Sequence, residues 1–481
     1  MNVLAVASEV FPLVKTGGLA DVTGALPGAL AAEGIATATL MPGYPSVLVA
    51  LPDAAVIAEF SDLFGGSARL LRGTAAGLDI IALDAPHFFA RPGTPYLDRH
   101  GVDWPDNAER FAALGWAAAA IAAGETAMTT PDIVHLHDWQ AGLAAAYLHA
   151  RGAVRPRVVF TIHNLAFQGN FAAEKLGALR VPSYFFTVAG LEFYGAVSFM
   201  KAGLVYADRI TTVSPGYADE IRTPEGGMGL DGVLRARGGD VVGILNGIDT
   251  DVWNPETDAL IAAPFGAARL GRRGVNKAAL QRRFGLAVDE DAPLIGIVSR
   301  LTWQKGVDVV LEALPDLLAA GGQLALLGSG EAQFADAFTA AAAGNPGRVG
   351  CMLGYDEHVA HLMQAGADAV LVPSRFEPCG LTQLCALRYG AVPVVSHVGG
   401  LADSVIDANE AALARGVATG VQFTPVTRAG LGRAIQRTAH LWRDRPAWKR
   451  MQRNGMAMDV SWRAPAAKYA ALFRACVGES R

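Results

Sequence analysis

The stretch Leu294-Ile-Gly-Ile-Val-Ser-Arg-Leu-Thr-Trp-Gln-Lys-Gly306 joins an apolar run of strand length to a polar loop. The run Leu294–Val298 predicts a buried strand, and a helical pattern begins near Gly306. Arg300 and Lys305 therefore share one loop at the carboxyl end of a strand, where α/β proteins bind ligands. Two cations there suit a leaving diphosphate; two solvated surface charges are the alternative.

The same alternation of strand-length runs and helical patterns extends over the whole chain and predicts βα units with parallel sheets. The turn-rich stretch Asn246–Pro255 interrupts it, and we place a hinge there. We therefore predict an α/β protein with two Rossmann-like domains, residues 1–245 and 246–456, facing one central cleft. In the first half the strand candidates are Val3–Ala7, Ile35–Met41, Ile80–Leu83, Ile133–Leu136, Val158–Ile162, Ile210–Val213 and Val241–Leu245.

Bulk composition fits this prediction and argues against other classes. A chain of 481 residues exceeds what one hydrophobic core usually serves. Hydrophobic residues make up 52% and charged residues 18%, which argues against disorder. The net charge of −5 argues against a nucleic-acid partner. Four cysteines without CxxC spacing, no signal peptide and no membrane-spanning run predict a cytoplasmic protein with reduced thiols.

A second loop in the latter half, Pro373-Ser-Arg-Phe-Glu-Pro-Cys-Gly-Leu-Thr-Gln383, follows the predicted strand Ala369–Val372. We expect Gly380 to open the next helix, whose amides can hold phosphate oxygens. Glu377 lies on the connecting loop, where its carboxylate can meet sugar hydroxyls or developing positive charge. Helix capping is the alternative role for Glu377.

Near the amino terminus, Lys15-Thr-Gly-Gly-Leu-Ala-Asp-Val22 combines a glycine turn, a helix start and a lysine. Such a turn can receive an anion, or it can be an ordinary βα turn with a surface lysine. The chain has neither a P-loop pattern nor GxGxxG after its first strand, so ATPase and dinucleotide-binding functions lose their main support.

Two further motifs, His135-Leu-His-Asp-Trp139 and Thr161-Ile-His-Asn164, begin at predicted strand ends. We expect His137, Asp138 and His163 to converge, although histidines satisfied in the core are the more ordinary alternative. A third ligand at a sensible spacing is missing, so we predict no metal and no cofactor.

Taken together, these motifs resemble the bacterial and plant starch and glycogen synthases, which are retaining glucosyltransferases with the GT-B fold. The resemblance covers nearly the whole chain in order. Its further segments are Asp106-Asn-Ala-Glu-Arg-Phe111, Thr212-Val-Ser-Pro215, Asn246-Gly-Ile-Asp249 and Gly399-Gly-Leu-Ala-Asp403. No chemical role follows for Asp106–Phe111.

The resemblance implies transfer of glucose from ADP-glucose, with UDP-glucose as the alternative donor, to the non-reducing end of an α-1,4-glucan with retention of configuration. It implies that residues 457–481 form a helix crossing back to the first domain. Catalytic contributions are implied for Glu377, His163, Asp138, Arg300 and Lys305. Substrate contacts are implied for Lys15, Gly17, Gly18, Asp21, Asn246, Tyr355, Cys379, Gly380, Leu381 and Thr382.

Two departures and two rival functions accompany the resemblance. Related retaining transferases often carry a second glutamate where this chain has Cys385, and the family often has Arg-Arg-Thr-Gly-Gly where this chain has Ser396-His-Val-Gly-Gly400. One rival is a transferase of the same fold with another sugar or acceptor. The other rival is a non-catalytic glucan- or nucleotide-binding protein, which a turnover assay distinguishes.

Overall fold

The computed structural model describes residues 1–152 and 155–478. The chain forms two compact units. The first unit contains Met1–Asn246 together with the residues from Trp462 onward, and the second unit contains Gly247–Ser461. No helix within the described ranges has both the length and the apolar character needed to cross a membrane.

The first unit is organised around a large, mostly parallel sheet. Its strands, with those of a small second sheet, are β1 (Asn2–Val6), β2 (Ala36–Pro42), β3 (Ala55–Phe60), β4 (Ala68–Ala75), β5 (Leu78–Asp84), β6 (Ile133–His137), β7 (Arg157–Ile162), β8 (Asn170–Ala172), β9 (Glu192–Phe193), β10 (Ala196–Ser198), β11 (Arg209–Thr212) and β12 (Val241–Gly243). Within the described residues the large sheet has nine strands in the order β12-β11-β7-β6-β1-β2-β5-β4-β3. β8, β10 and β9 form an antiparallel sheet.

The central strands of the large sheet are parallel and buried, whereas its edge is antiparallel. β1 and β6 are almost wholly buried, which explains why they read as continuous apolar runs. β4 pairs antiparallel with both β5 and β3. The expectation of parallel strands is therefore wrong at this edge, because these half-exposed strands lack a continuous apolar run.

Helices cover the large sheet of the first unit. They are α1 (Gly18–Ala32), α2 (Pro45–Val49), α3 (Pro86–Phe89), α4 (Asn107–Ala122), α5 (Asp138–Ala150), α6 (Phe199–Tyr206), α7 (Pro215–Glu220) and α8 (Asp231–Ala236). The alanine-rich face of α4 and the neighbouring α5 are nearly fully buried in the main core of this unit. Small side chains allow these two helices to pack closely.

The second unit is a smaller α/β sandwich. Its strands are β13 (Leu294–Leu301), β14 (Gln323–Gly330), β15 (Val349–Leu353), β16 (Ala369–Val372), β17 (Val392–Ser396) and β18 (Val421–Phe423). Its helices are α9 (Arg273–Arg283), α10 (Val307–Ala319), α11 (Ala332–Gly344), α12 (Glu357–Gly366), α13 (Thr382–Tyr389), α14 (Gly399–Ser404), α15 (Glu410–Arg415), α16 (Arg428–Arg443) and α17 (Arg445–Ala457). The described strands form one parallel sheet in the order β15-β14-β13-β16-β17-β18.

The last helix, α18 (Arg463–Gly478), completes the first unit rather than the second. Tyr469 and Phe473 are fully buried in a cluster that also contains Val3 and Leu26. The Arg474 guanidinium donates a 2.6 Å hydrogen bond to the carbonyl of Glu33, just beyond α1. The first unit is therefore built from both ends of the chain.

Candidate active site

Each unit reverses its strand order at one point, and the predicted site residues follow the strands at these points. In the first unit the order reverses between β1 and β6, and in the second between β13 and β16. Loops that leave adjacent strands in opposite directions open a crevice at the carboxyl edge of a sheet.

Arg300 lies on a strand, not on the predicted loop. β13 continues beyond Val298 because Ser299, Arg300 and Leu301 still pair with β14. The Arg300 side chain is exposed at this strand end. Within residues 1–152 and 155–478 its guanidinium has no hydrogen bond or ion pair, so this cation is available to an anionic ligand.

Lys305 and Glu377 form an ion pair at the reversal point of the second unit. Lys305 Nζ lies 2.5 Å from Glu377 Oε2. The hydroxyl of Ser374 donates a 2.7 Å hydrogen bond to the same oxygen. Both side chains of the ion pair are largely shielded from water, so their attraction is stronger than that of a surface pair. Helix capping of Glu377 is not its observed role, because its carboxylate is engaged with Lys305 and Ser374.

A second set of contacts holds the two loops of this crevice together. Arg375 forms two hydrogen bonds with the carboxylate of Asp308, at 2.7 and 2.6 Å. It also donates to the carbonyl of Trp303 at 2.7 Å, and its guanidinium stacks over that indole ring. Gly306 has φ +66°, and a Cβ there would lie only 2.1 Å from the carbonyl oxygen of Pro373. Glycine at this position therefore permits the close approach of the loops.

The glycine turn before α13 provides free amides in the same crevice. Gly380 has φ +72°, and α13 begins at Thr382, so the prediction that Gly380 opens the helix is wrong by two residues. The side-chain amide nitrogen Nε2 of Gln383 donates hydrogen bonds to the backbone carbonyls of Cys379 and Gly380, at 2.9 and 2.8 Å. Across the described chain the amides of Gly380 and Leu381 have no hydrogen-bond acceptor. These amides and the start of α13 suit an anion.

Tyr355 and Cys385 have contrasting environments. Tyr355 follows β15, is largely exposed, and donates its hydroxyl hydrogen bond to Glu357. Such a ring is available for stacking on a planar ligand. Cys385, which replaces the second glutamate of related transferases, is buried on α13 in an apolar cluster with Ile248 and Val460.

In the first unit, the lysine of the glycine turn is already paired. Lys15 Nζ lies 2.7 Å from Asp21 Oδ1 on the first turn of α1. α1 begins at Gly18, and Gly17 caps it in an extended conformation without a side-chain hydrogen bond. A Cβ on Gly17 would have no neighbour within 4 Å, so the turn leaves open space in front of the helix. The arrangement combines a cation with a helix N-terminus.

The predicted convergence of His137, Asp138 and His163 is confirmed. His137 Nδ1 lies 2.9 Å from His163 Nε2, and Asp138 Oδ1 accepts a 2.7 Å hydrogen bond from the amide of His163. Asp138 has φ +58°, a conformation that residues other than glycine seldom adopt. Burial raises the pKa of the Asp138 carboxyl to about 7, although two backbone amides oppose this shift. Asp138 can therefore exchange a proton near neutral pH.

His135 is a structural residue in the core. Its Nε2 lies 2.6 Å from the hydroxyl of Thr161, which in turn bonds to Thr211. Its ring also contacts Tyr469 and Phe473 of α18.

Two buried polar residues of the first unit stand out in the structure. Glu9, which the sequence analysis did not select, is buried, and its carboxylate accepts hydrogen bonds from Thr16 and Tyr96. An acidic residue three positions after the end of the apolar strand β1 is the signal that could have identified it. Asn246 is also buried, and its Oδ1 has no hydrogen-bond partner in the part of the chain described. A buried acceptor without a partner is unfavourable unless a ligand or water satisfies it.

Acid should destabilise the first unit through its buried histidines. Burial lowers the pKa values of His135 and His163 to about 3, from 6.5 when exposed. On acidification, these histidines therefore bind protons in the unfolded chain before they do so in the folded chain. The unfolding free energy consequently falls as pH decreases from about 6.5 toward 3. Each histidine contributes a slope of about 1.4 kcal/mol per pH unit in this window.

His135→Gln should reduce the slope of the unfolding free energy with pH by about 1.4 kcal/mol per pH unit, the value for one proton taken up on unfolding. Urea unfolding between pH 6 and pH 4.5 measures this slope. An unchanged slope in His135→Gln would contradict the interpretation of His135 as a neutral core residue.

Known proteins match this chain over its whole length. Residues 2–236 match the family model of the starch synthase catalytic domain, and residues 280–455 match glycosyl transferases group 1. The chain is 60% identical over 474 residues to a glycogen synthase of Rhodopseudomonas palustris strain BisA53, covering 98% of this chain and 97% of the relative. It is 58% identical to a glycogen synthase of Methylocella silvestris, covering 100% and 99%.

A solved structure gives the same result. The catalytic domain of starch synthase IV from Arabidopsis thaliana, bound to ADP and acarbose, superposes with a TM-score of 0.87 at 32% identity, covering 99% of each chain. The prediction of a GT-B fold made of two α/β units is confirmed. Since both halves and the full-length relatives agree, this chain belongs to the glycogen and starch synthase family of glucosyltransferases.

Proposed function

We propose that this protein transfers glucose from ADP-glucose to the 4-hydroxyl at the non-reducing end of an α-1,4-glucan, with retention of configuration. The observation that carries the proposal is the shielded Lys305–Glu377 ion pair beside the free amides of Gly380 and Leu381. The same crevice then has a cation and backbone amides that can bind a diphosphate. It also has a carboxylate that can bind a sugar.

In the second unit we propose that Arg300 and Lys305 bind the diphosphate together with the Cys379–Thr382 turn. The exposed Arg300 guanidinium has no partner among the described residues, while Lys305 is oriented by Glu377. The carboxylate of Glu377 is proposed to accept hydrogen bonds from the glucose hydroxyls, and the Tyr355 ring to lie against the base. This unit is thus the proposed nucleotide-sugar domain.

In the first unit we propose that Lys15, Asp21 and the Gly17-Gly18 turn act on the donor. Asp138 and His163 are proposed to contact the transferred glucose, with Asn246 nearby. The pKa of Asp138, near 7, suits a group that accepts or donates a hydrogen bond to a sugar hydroxyl. The neutral His163, whose ring is bonded to His137, is pre-oriented for one hydrogen bond.

For the chemical step we propose a loose, oxocarbenium-like transition state in which the departing phosphate helps to remove the acceptor proton. Glu377, the proposed glucose-binding carboxylate of the second unit, is paired with Lys305, which favours electrostatic stabilisation over covalent attack. The cations Lys15, Arg300 and Lys305 would stabilise the phosphate charge that develops as the bond breaks. No metal is required by this arrangement.

We propose a cytoplasmic location for this reaction. All four cysteines lie within the described residues and are in the thiol form, three of them buried, which suits a reducing compartment.

The proposal is tested by assaying the purified chain with ADP-glucose, UDP-glucose and glucan acceptors, with and without EDTA. We expect turnover with ADP-glucose, little with UDP-glucose, and no loss in EDTA. Newly added residues should be released by an exo-acting α-1,4-glucosidase. Binding of donor without turnover would favour the non-catalytic alternative, and preference for another acceptor would favour a different transferase.

Lys15→Ala should lower kcat about tenfold or more, because one charge-assisted contact to the departing phosphate is lost. The affinity for ADP, measured by calorimetry, should change less than about threefold, since the proposed nucleotide contacts lie in the second unit.

Lys175→Ala is the matched control for Lys15→Ala. Lys175 is as exposed as Lys15, at 33% against 34%, and is likewise paired with a carboxylate, that of Glu109 at 2.6 Å. This control should retain full activity. If Lys15→Ala abolished ADP binding, or behaved like the control, the proposed role of Lys15 would be refuted.

A further inference from the structure

The motif Asp106–Phe111, to which the proposed function assigns nothing, fastens the preceding loop to the start of α4. Arg110 is 1% exposed and donates to the carbonyls of Phe88 and Pro95 at 3.1 and 2.9 Å. Asn107 Nδ2 donates to the carbonyl of Tyr96 at 3.0 Å. A buried guanidinium that bonds one carbonyl of α3 and one carbonyl of the following loop leaves that loop little freedom.

A pair of contacts fixes the far end of this loop. The carboxylate of Asp106 accepts two hydrogen bonds from Arg91, at 3.0 and 2.8 Å. Arg91 also donates to the carbonyl of His87 at 2.6 Å and lies over the Trp104 ring. The motif therefore holds the loop at both of its ends.

The loop places the hydroxyl of Tyr96 in the first-unit crevice, beside Ser8 and Glu9. This hydroxyl donates to Glu9 Oε1 and lies 2.8 Å from the hydroxyl of Ser8. Glu9 is 2% exposed, and the nearby Lys15 is paired with Asp21. No ion pair neutralises Glu9 within residues 1–152 and 155–478, so its carboxylate depends on hydrogen-bond donors.

These donors come from the turn that carries Lys15. Glu9 accepts from the backbone amide of Thr16 and, at 2.6 Å, from its hydroxyl. The backbone carbonyl of Glu9 accepts a 2.6 Å hydrogen bond from Thr23 on α1. A single residue thus ties the peptide that follows Lys15 to both α1 and Tyr96.

We propose that Glu9 is a positioning residue for Lys15, held in place by Tyr96 and, through Tyr96, by the motif Asp106–Phe111. The proposal rests on the proposed function, since it deepens the role given there to Lys15. Removing a donor to Glu9 loosens the peptide between Lys15 and Thr16, so the lysine reaches the departing phosphate less often. The motif acts on catalysis through this chain of contacts and needs no contact with the substrate.

Tyr96→Phe removes the hydroxyl and keeps the ring. We expect kcat to fall about tenfold while the ADP dissociation constant stays within about twofold. Tyr44→Phe is the matched control, because the Tyr44 hydroxyl is also buried but has no hydrogen-bond partner in the described chain. The control should keep its kcat, so equal losses in both variants would overturn the proposal.

A double-mutant cycle separates positioning from an independent role of Tyr96. In a Lys15→Ala background, Tyr96→Phe and Glu9→Gln should cause almost no further loss of kcat, because the residue they position is already gone. Fully additive losses would overturn the proposal, as would a Lys15→Ala variant with undiminished activity.

Hydrogen exchange tests the contacts without relying on turnover. The amide of Thr16 should exchange at least about tenfold faster in Tyr96→Phe and Glu9→Gln than in the unmodified protein. Unchanged exchange would overturn the inference even if activity fell. Faster exchange in a protein that transfers no glucose would instead refute the proposed function and leave the contact network intact.

Discussion

Glu377→Ala is expected to lower kcat by about 100-fold or more while ADP binding weakens far less. The carboxylate is proposed to stabilise charge that exists only in the transition state, and such an interaction contributes to kcat and not to ground-state affinity. Its removal also frees Lys305, whose Nζ lies 2.5 Å away and loses its orienting partner. Steady-state kinetics with ADP-glucose and calorimetry with ADP measure the two effects separately.

Two further variants sharpen this result. Glu377→Gln keeps the size and one acceptor oxygen, so any activity that it restores is due to hydrogen bonding and not to charge. Asp316→Ala removes a carboxylate of the same unit, paired at 3.6 Å with Arg428 on the surface, and should leave kcat unchanged. A folded Glu377→Ala protein with nearly normal kcat would refute the catalytic assignment.

Phe473→Ala is expected to cost the first unit about 3–5 kcal/mol of unfolding free energy. The ring is fully buried in the cluster that contains Val3, Leu26 and Val159, and its centroid lies 5.3 Å from that of the His135 ring. Truncation leaves a cavity that the surrounding sheet and helix cannot fill without moving. Urea unfolding followed by amide exchange in β1 and β7 measures the loss in this unit specifically.

Val477→Ala, on the same helix, is the control for Phe473→Ala. Val477 is 45% exposed, so its truncation should change the unfolding free energy by less than about 0.5 kcal/mol. If Phe473→Ala were as mild as this control, α18 would not be an integral part of the first unit.

The strand ends that carry the site could be read from the sequence because buried parallel strands are continuous apolar runs. The runs that became β7 and β16 end where a polar loop begins, and the run that became β6 ends at His137, directly before α5. The pairing of His137 with Thr161 places the ends of β6 and β7 side by side, which explains why His137 and His163 converge. Adjacent parallel strands bring their carboxyl ends together whatever the intervening length.

Contacts between loops could not be read in this way. The hydrogen bond between Tyr96 and Glu9 joins positions 87 residues apart, and neither residue follows a periodic pattern. Likewise, no sequence pattern pairs Arg375 with Asp308, although the two join the loop after β16 to the start of α10. Such pairs depend on loop conformation, which composition and periodicity do not specify.

The antiparallel strands β3 and β4 were missed for a related reason. β4 mixes buried with exposed residues, whereas β3 has no buried residue and carries a register shift between Val56 and Ala58. Weak alternation over short segments is difficult to distinguish from a polar connection.

Synthesis from the amino terminus dictates the order in which the two units can become complete. The second unit is one continuous segment, Gly247–Ser461, and all of it leaves the ribosome before α18 does. The hydrogen bond from Arg474 to Glu33 spans 441 positions, so the first unit, although made first, is finished last. Until then the apolar face that receives Phe473 stays uncovered on the nascent chain, where a chaperone or another nascent chain can bind it. Mutations in α18, which is synthesised last, should therefore reduce the yield of folded protein more than mutations of equal severity in the second unit.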